Sequence, residues 1–318
     1  MTHVLVTGGT GFVGAALAEK IKRDGRFEVS VSVRDKRQLP GVHTCSVSGL
    51  DGGTSWSTAL EGIDVVVHTA ARVHVMRESL SDPLTEFRKV NVEGTLNLAR
   101  QAAASGVKRF VFLSSIKVNG EGTELGKPYK PDDIPHPLDP YGVSKMEAEK
   151  ALFGLTEEVQ MDVVVIRPVL VYGPGVKANF LSMIRWLDKG VPLPLGAIHN
   201  ARSLVALDNL VSLIVTCVDH PAAADQIFLV SDGEDLSTTQ LLARISQMLK
   251  KPSRLIPVPP WALDFVARLF KRGDFSKRLC GSLQVDISKT RSLLNWSPEV
   301  SVDQGLAKTI SHFVEQGK

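Results

Sequence analysis

Tyr141 and Lys145 are the two residues whose types and spacing point most directly to chemistry. They stand four positions apart, so on a helix both side chains rise from the same face. A phenol has a pKa of about 10 and is a poor base at neutral pH, but a nearby ammonium group stabilises the phenolate and lowers that pKa. The spacing therefore indicates a proton-handling pair. Taken alone, a Y-x-x-x-K pattern is more often a tyrosine at a helix start followed by a surface lysine.

A helix that begins at Pro140 would hold this pair. Asp139 directly precedes Pro140, and an aspartate cap followed by proline is a favoured helix start. The preceding segment, residues 117–140, is rich in Gly, Pro, Asp and Lys and long for a connector, which is typical of a functional loop beside a site.

Near the end of the chain we expect Asp303 to cap the last helix.

Two serines end the strand that is predicted before this loop. The apolar run Phe-Val-Phe-Leu leads into Ser114 and Ser115. Open α/β sheets place their chemistry at the carboxyl ends of strands, so this position suits reacting groups. The hydroxyl of Ser115 could hydrogen-bond the same substrate oxygen as Tyr141.

The first strand leads into a glycine turn. Residues 4–6 suit a buried parallel strand, and apolar residues then recur at four-residue intervals as one face of a helix. The turn between them contains G-x-G-x-x-G, which lets a pyrophosphate approach the backbone at a helix N-terminus. The strand–turn–helix context favours a dinucleotide site over a purely structural turn. The predicted cofactor contacts here are Gly8, Gly11, Phe12, Val13 and Gly14.

The second strand is predicted to reach the adenosine end of the same cofactor. Residues 29–33 alternate valine with serine and end at Arg34 and Asp35, about where dinucleotide folds meet the ribose. An acid there favours a free 2′-hydroxyl and an arginine accommodates a 2′-phosphate, so both NAD and NADP remain candidates. We prefer NADP slightly, because the Arg34 guanidinium could also stack on adenine. A solvated charge pair after an edge strand fits these residues nearly as well.

A third strand and a long helix complete the predicted cofactor site. Residues 65–71 read as a buried strand, and its small terminal residues Ala70 and Ala71 would let the cofactor lie close to the backbone. A helix is predicted from about residue 84 to residue 105, and Asn91 lies on it.

The alternation of strands and helices predicts an α/β protein with a doubly wound, parallel Rossmann sheet. We assign residues 1–168 to a dinucleotide-binding domain and expect about 204–231 to complete its sheet. Proline and glycine become frequent from Val169 onward and the alternation fades. Residues 169–203 and 232–318 are therefore expected to form a smaller, mixed lobe that binds the substrate.

The composition narrows the class of partner. Lys and Arg number 37 against 34 Asp and Glu without a long basic run, which argues against nucleic acid and for a small anion. The three cysteines are widely spaced, which argues against a disulfide framework or a zinc site. We expect no metal and a reducing compartment, the cytoplasm by default. No signal peptide or membrane-length apolar stretch is recognisable, so no integral membrane segment is expected.

The stretch 261–278 combines an apolar helix face, which includes Trp261 and Phe265, with basic residues such as Lys271 and Arg272. A basic amphipathic helix can rest on a membrane surface. The apolar stripe is no wider than that of an ordinary buried helix, so core packing in a small lobe is favoured.

Four motifs, taken in order, resemble those of the extended short-chain dehydrogenase/reductase family, in particular its NAD(P)-dependent nucleotide-sugar epimerases and reductases. The motifs are Thr7–Gly14, Asn91–Thr95, Ser114–Ser115 and Tyr141–Lys145. The resemblance covers nearly the whole chain, and the combination is specific although each motif alone is not. It implies that Tyr141 exchanges the proton, Lys145 orients the nicotinamide ribose and Ser115 contacts the reacting oxygen. It also implies cofactor contacts at Asn91 and Ser114, and it suggests a homodimer.

The resemblance further implies a UDP-sugar as substrate. Asn179, in Asn-Phe-Leu, resembles the residue that contacts the nucleoside diphosphate, and Arg202 matches an arginine that clamps the pyrophosphate. Arg278 is the nearest candidate for a second clamp, although its spacing to the following motif departs from the family pattern. Ser115 and Lys117 would complete the substrate contacts.

Two departures from the family pattern narrow the reaction. Dehydratases of the family carry Thr-Asp-Glu at the strand end, whereas Ser115 is followed by Ile116 and Lys117, which argues against dehydration. Hexose 4-epimerases place an asparagine where this chain has Leu170, which implies a less polar sugar pocket. The chain most resembles the O-antigen enzymes that reduce a UDP-4-keto-6-deoxy-N-acetylhexosamine to UDP-N-acetylquinovosamine, and Arg34 is consistent with the dissociable NADPH that suits net reduction, so we favour a reductase of this kind. A UDP-hexose or UDP-N-acetylhexosamine 4-epimerase is the close alternative, and a non-catalytic NADP-binding redox sensor is a third.

Overall fold

A computed structural model of the chain describes residues 1–34, 38–73, 82–269 and 279–316. Its strands are β1 (Thr2–Thr7), β2 (Phe27–Val33), β3 (His43–Ser46), β4 (Val65–His68), β5 (Arg109–Leu113), β6 (Asp162–Pro168), β7 (Leu170–Tyr172), β8 (Arg202–Ala206), β9 (Gln226–Val230) and β10 (Asp235–Leu236). Its α-helices are α1 (Phe12–Asp24), α2 (Pro83–Arg88), α3 (Thr95–Ala104), α4 (Pro140–Thr156), α5 (Ala178–Asp188), α6 (Leu207–Asp219), α7 (Thr238–Met248), α8 (Pro260–Leu269), α9 (Ser288–Leu294) and α10 (Val302–Gln316). Short 3-10 turns cover Thr58–Leu60, Ile116–Val118 and Pro221–Ala223, and a π-helical turn covers Lys89–Gly94.

The larger sheet has seven strands in the order β3-β2-β1-β4-β5-β6-β9, and every neighbouring pair is parallel. The strand order reverses between β1 and β4, which opens a crevice at the carboxyl ends of these strands. Thr7, His68 and Phe112 lie in register across that edge. The predicted doubly wound, parallel α/β sheet is confirmed.

The larger sheet is covered by apolar helix faces on both sides. Along β1, Val4 and Val6 pack in the core that includes Leu17 of α1 and Leu210 of α6. Leu5, which points to the other face, packs in the core that includes helices α3 and α4. Successive residues of a strand point to opposite faces, so a continuous apolar run is what a strand buried on both sides requires.

The smaller sheet is mixed, as predicted for the second lobe. Strand β7 pairs with β8 in parallel, and β10 pairs with β8 antiparallel. Its core lies against α5, α7 and α10, with Phe180, Ile245 and Leu306 all buried. Between β8 and β10 the chain returns to the larger sheet: α6 packs in the core beside α1, and β9 pairs with β6.

The long helix predicted from residue 84 to residue 105 is interrupted. It is divided into α2, the π-helical turn Lys89–Gly94, and α3. A Cβ at Gly94 would lie 2.1 Å from the carbonyl oxygen of Leu50, so the turn approaches a neighbouring loop at a glycine. Single π-helical turns inside α-helices are frequent at functional sites.

The two predicted helix caps have different outcomes. Asp139 Oδ1 accepts a hydrogen bond of 2.7 Å from the Gly142 backbone N–H, so the predicted start of α4 is confirmed. The expectation for Asp303 is wrong, because the Ser301 hydroxyl accepts from the Gln304 backbone N–H at 3.3 Å instead. The Gln304 side chain accepts in return from the Ser301 backbone N–H, which makes a capping box.

The apolar face of α8 is not buried as expected. Trp261 is 75% exposed and Phe265 is 68% exposed, so core packing is wrong for these two side chains. Lys271 and Arg272 lie outside the described residues, as do Asp35 and Arg278. Within the described ranges, no helix combines the length and the apolar character needed to cross a membrane.

Candidate active site

One cavity of about 910 Å³ lies over the carboxyl ends of β1, β2, β4 and β5. Most of the predicted cofactor and catalytic residues line it. These are Gly8, Gly11, Phe12, Val13, Gly14, Arg34, Ala70, Ala71, Ser114, Ser115, Tyr141 and Lys145. Residues from widely separated parts of the chain therefore meet in one crevice, where a doubly wound sheet offers its ligand site.

The glycine turn is held in shape by close backbone contacts. Gly8 has a φ of +72°, and a Cβ there would lie 2.9 Å from the Ala70 backbone nitrogen. A Cβ at Gly14 would lie 2.3 Å from the Gly8 carbonyl oxygen, so the start of α1 packs directly on the turn. Gly11 precedes α1 and gives it no side-chain cap. The N-terminal amides of α1 are thus free of a capping side chain and suited to an anion.

Gly9 has a structural role that the G-x-G-x-x-G pattern does not reveal. A Cβ at Gly9 would lie 1.8 Å from Cγ1 of Val31, a buried side chain of β2. This glycine lets the turn lie against the neighbouring strand, while Gly8 provides the left-handed backbone.

Arg34, Ala70 and Ala71 belong to the predicted cofactor path and line the cavity. Arg34 directly follows β2, is exposed, and lines the cavity. Ala70 and Ala71 follow β4 and line the same cavity; the Ala70 backbone N–H donates a 3.3 Å hydrogen bond to the Thr7 hydroxyl. This bond holds the β4 extension beside the glycine turn.

Tyr141 lies in the first turn of α4, on the side that lines the cavity. Its ring packs edge-on against Phe87 of α2, with 6.0 Å between ring centroids. Burial, together with the negative charge of Asp139, raises the pKa of the Tyr141 phenol. A positive charge must therefore offset these effects before this phenol can act as a base near neutral pH.

Lys145 is almost fully buried and is held in one position. Its Nζ donates a 2.8 Å hydrogen bond to the Leu113 carbonyl oxygen and lies 4.2 Å from the centroid of the Phe112 ring. Burial lowers the pKa of Lys145 from 10.5 to about 7, and the nearby Glu149 carboxylate opposes that shift. The site thus holds a cation, or a readily protonated amine, on the same helix face as the phenol.

A buried ion pair that the sequence analysis missed supports this arrangement. Arg167 Nη2 lies 2.6 Å from Glu149 Oε2, and both side chains are at most 5% exposed. The Ser114 hydroxyl donates to Glu149, and Arg167 Nη1 donates to Asn119 Oδ1 at 3.0 Å. The network joins β5, β6, α4 and the loop after Ser115. Two signals were visible in the sequence: Glu149 is one turn after Lys145, and Arg167 interrupts an apolar strand.

Asn91 lies behind the cavity wall and does not line it. Its Oδ1 accepts from the Arg72 backbone N–H at 2.9 Å. Its Nδ2 donates to the Arg72 carbonyl oxygen at 3.1 Å and to the Ser144 hydroxyl at 3.0 Å. The side chain therefore fixes the segment after β4 against α4, and Arg72 itself lines the cavity.

The predicted substrate contacts are less closely gathered. Lys117 pairs with Asp139 and with Glu121, and neither Asn179 nor Arg202 lines the cavity described above. Asn179 is exposed at the start of α5. Arg202 Nη1 donates a 3.0 Å hydrogen bond to the Gly281 carbonyl oxygen, and burial lowers the pKa of its guanidinium.

Solved structures of similar fold include two sugar-nucleotide epimerases. UDP-glucose 4-epimerase of Thermotoga maritima, solved with UDP-glucose, superposes with a TM-score of 0.79 at 22% identity and full coverage of both chains. UDP-glucuronic acid 4-epimerase of Bacillus cereus, solved with NAD, gives a TM-score of 0.79 at 20% identity, again with full coverage of both chains. At these identities the likeness establishes the fold.

Sequence relatives define the family. A Vibrio cholerae protein named UDP-glucose 4-epimerase is 48% identical over 313 residues, which cover 98% of this chain and 95% of that protein. The profile of the NAD dependent epimerase/dehydratase family matches residues 4–231. The chain therefore belongs to the NAD dependent epimerase/dehydratase family.

Proposed function

We propose that this protein is a UDP-sugar 4-epimerase that works with a tightly held nicotinamide dinucleotide. The main support is the shared cavity, which is lined both by Tyr141, Lys145 and Ser115 and by the glycine turn that includes Gly8 and Gly11. The name of the Vibrio cholerae relative supports the epimerase over the reductase that the sequence analysis favours. Leu170 stands where hexose 4-epimerases place an asparagine, so we infer that the sugar pocket has an apolar wall at this position.

The residues of the glycine turn fit a dinucleotide. The uncapped start of α1 would hold the diphosphate, Arg34 would meet the adenosine ribose, and Ala70 and Ala71 leave room beside the strand end. Bound in this way, the group supplies a hydride acceptor for C4 of the sugar. We propose that Asn91 does not contact the cofactor. Instead, its hydrogen bonds to the Arg72 backbone fix Arg72 in the cavity wall.

The side chains of the site then divide the proton transfer between them. The Tyr141 phenolate takes the proton from the C4 hydroxyl as that carbon is oxidised, and the Ser115 hydroxyl hydrogen-bonds the same oxygen. The ammonium of Lys145 stabilises the phenolate and so opposes the rise in the pKa of Tyr141 that burial causes. After the 4-keto sugar has rotated to present the opposite face of C4, the hydride would return to C4 and Tyr141 would return the proton to the C4 oxygen, which gives the epimer.

The large sheet would hold the dinucleotide and the smaller lobe the nucleoside diphosphate of the substrate. We retain Arg202 and Asn179 as proposed contacts of that diphosphate on family resemblance, and Arg278 as a third. Lys117 is a weaker candidate for substrate binding, because its ammonium already pairs with Asp139.

A 4-keto reductase that uses NADPH is a second candidate. Arg34 supports it, since this exposed guanidinium lines the cavity where a 2′-phosphate would lie. A dissociable reduced cofactor suits net reduction, whereas an epimerase keeps one cofactor through both half-reactions.

One pair of assays separates the candidates. The protein is incubated with UDP-glucose or UDP-N-acetylglucosamine without added cofactor, and separately with a UDP-4-keto-6-deoxy sugar and NADPH. Turnover in the first assay alone indicates an epimerase, and stoichiometric loss of NADPH in the second alone indicates a reductase. Tyr141→Phe is the control. An enzyme should lose turnover in this variant, whereas a non-catalytic redox sensor has no turnover to lose.

A further inference from the structure

Lys117 connects the two segments that carry Ser115 and Tyr141. Its backbone N–H donates a 3.3 Å hydrogen bond to the Ser115 hydroxyl. Its Nζ forms an ion pair with the carboxylate of Asp139, which in turn caps the helix of Tyr141 by accepting from the Gly142 backbone N–H at 2.7 Å. One residue therefore contacts the serine directly and the tyrosine's helix through its cap.

The two segments also meet along the backbone. A Cβ at Gly142 would lie 2.9 Å from the Lys117 carbonyl oxygen and 3.2 Å from Asp139 Oδ1. The first turn of α4 is thus in contact with the backbone of the segment after Ser115, at a position where only a glycine fits without a shift. The ion pair lies in a close-packed joint, with its Lys117 side chain 24% exposed and its Asp139 side chain 16% exposed.

Charge is the second aspect of this joint. Asp139 is two residues before Tyr141, and its negative charge is one cause of the raised pKa of the phenol. The ammonium of Lys117 faces the same carboxylate and offsets that charge. Glu121 also lies 3.3 Å from the ammonium, so Lys117 stands between two carboxylates of which only Asp139 touches the helix of the tyrosine.

We propose that Lys117 is a positioning residue, which holds the Ser115 segment against the helix of Tyr141 and offsets the charge of Asp139 beside the phenol. The inference rests on the proposed function, in which Tyr141 carries the proton. It also explains why a lysine in the predicted substrate site is already paired. Lys117 acts through Asp139 and is not itself a catalytic residue.

Other charged groups around Tyr141 stay constant in the test. Lys145 faces it from the same helix, and Glu86, Lys89 and Arg72 line the cavity from the neighbouring segments. From α2 the direct neighbour is the uncharged ring of Phe87. Variants of Lys117 and Asp139 leave all of these unchanged.

The experiment measures the titration midpoint of Tyr141 itself. The chain has three tyrosines, so the near-ultraviolet phenolate absorbance of each variant, minus that of the same variant with Tyr141→Phe, isolates the Tyr141 component. The protein is saturated with NAD throughout. We expect Lys117→Met to raise the midpoint by about one pH unit, because Asp139 is left uncompensated close to the phenol. Asp139→Asn should lower it, since asparagine still caps the helix but carries no charge.

The double variant and two controls complete the design. Lys117→Met with Asp139→Asn should return the midpoint to near that of the parent, and Lys117→Arg should leave it unchanged. Glu121→Gln is the matched control, because it removes a carboxylate from the same lysine without touching the cap, and it should shift the midpoint little. Circular dichroism checks folding, and the Asp139→Asn single and double variants still test the charge if Lys117→Met alone does not fold.

A midpoint in Lys117→Met equal to that of the parent would overturn the proposal, as would a double variant that stays as high as the single one. The titration needs no sugar substrate, so it distinguishes failure of this inference from failure of the proposed function. A protein with no epimerase activity would still show the ordered midpoints if the joint acts as described. Where the variants are active, the pKa read from the acid limb of the pH profile of kcat/KM should change in the same order as the titration midpoints.

Discussion

Replacing Lys145 with methionine is expected to stabilise the protein at neutral pH although it removes a proposed catalytic group. Burial lowers the pKa of Lys145 from 10.5 to about 7. Below pH 7 the amine is charged in both the folded and the unfolded chain, and the folded state carries the full cost of burying that charge. A shift of about 3.5 units corresponds to about 5 kcal/mol. Between pH 7 and 10.5 the amine is neutral in the folded state but still charged in the unfolded chain, so the cost fades steadily and is gone above 10.5, where the amine is neutral in both states.

The substitution also has a cost of its own. It removes the 2.8 Å hydrogen bond that Lys145 donates to the Leu113 carbonyl oxygen. An acceptor left without its donor costs about 2 kcal/mol. The expected balance is a gain of about 3 kcal/mol at or below pH 7, which declines by about 1.4 kcal/mol for each pH unit above it. Near pH 10 the variant should be less stable than the parent.

Urea unfolding at pH values of about 6.5, 8 and 9.5 measures the free energy of unfolding of both proteins. The matched control is Lys150→Met, because Lys150 is on the same helix but exposed, and its effect should be small at every pH. Epimerase activity should be lost in Lys145→Met alone. A Lys145→Met variant that is less stable at all three pH values, or whose effect does not change with pH, would refute the reasoning.

Three further predictions concern the supports of the site. Glu149→Leu should lower the free energy of unfolding by about 3–5 kcal/mol in urea titrations, because it leaves the buried Arg167 guanidinium unpaired. Adding Arg167→Met should recover part of that loss. A cost of Glu149→Leu under about 1 kcal/mol would contradict the role of the pair. Gly14→Ala should weaken dinucleotide binding measured by calorimetry, because its Cβ would lie 2.3 Å from the Gly8 carbonyl oxygen. The control Gly154→Ala, in open space, should leave binding unchanged. If Gly14→Ala bound the dinucleotide as tightly as the parent, the glycine turn would not be the binding site. Arg34→Gln should reduce the affinity for NADP relative to NAD about tenfold if the guanidinium meets a 2′-phosphate, and an unaltered ratio would remove the support for a reductase.

Local signals in the sequence were sufficient for the parts of the site that depend on neighbours in the chain. An aspartate followed by proline is a helix start wherever it occurs, so Asp139 and the helix of Tyr141 could be predicted. The turn that contains Gly8 could be predicted from the strand before it and the helix after it. The carboxyl ends of parallel strands meet at one edge, which placed Ser115 near the same crevice.

Contacts between distant residues could not be derived in the same way. Nothing in the sequence pairs Asn91 with Ser144, which are 53 residues apart, or Lys117 with Asp139 across a loop. Amphipathic spacing predicts which helix face is apolar but not whether another element covers it, which is why Trp261 was wrongly expected in the core. The π-helical turn coincides with the close approach of Gly94 to Leu50, a tertiary contact with no periodic signature.

The most direct test of the account follows a hydrogen atom at C4 of the sugar. The protein is given UDP-glucose deuterated at C4, with no added cofactor, and the epimer is analysed by mass spectrometry and NMR. If the hydride passes to a bound nicotinamide and returns while Tyr141 handles only the hydroxyl proton, the deuterium should remain at C4 of the product, and Tyr141→Phe should abolish the conversion. Loss of the deuterium to solvent, or conversion that persists undiminished in Tyr141→Phe, would contradict the account.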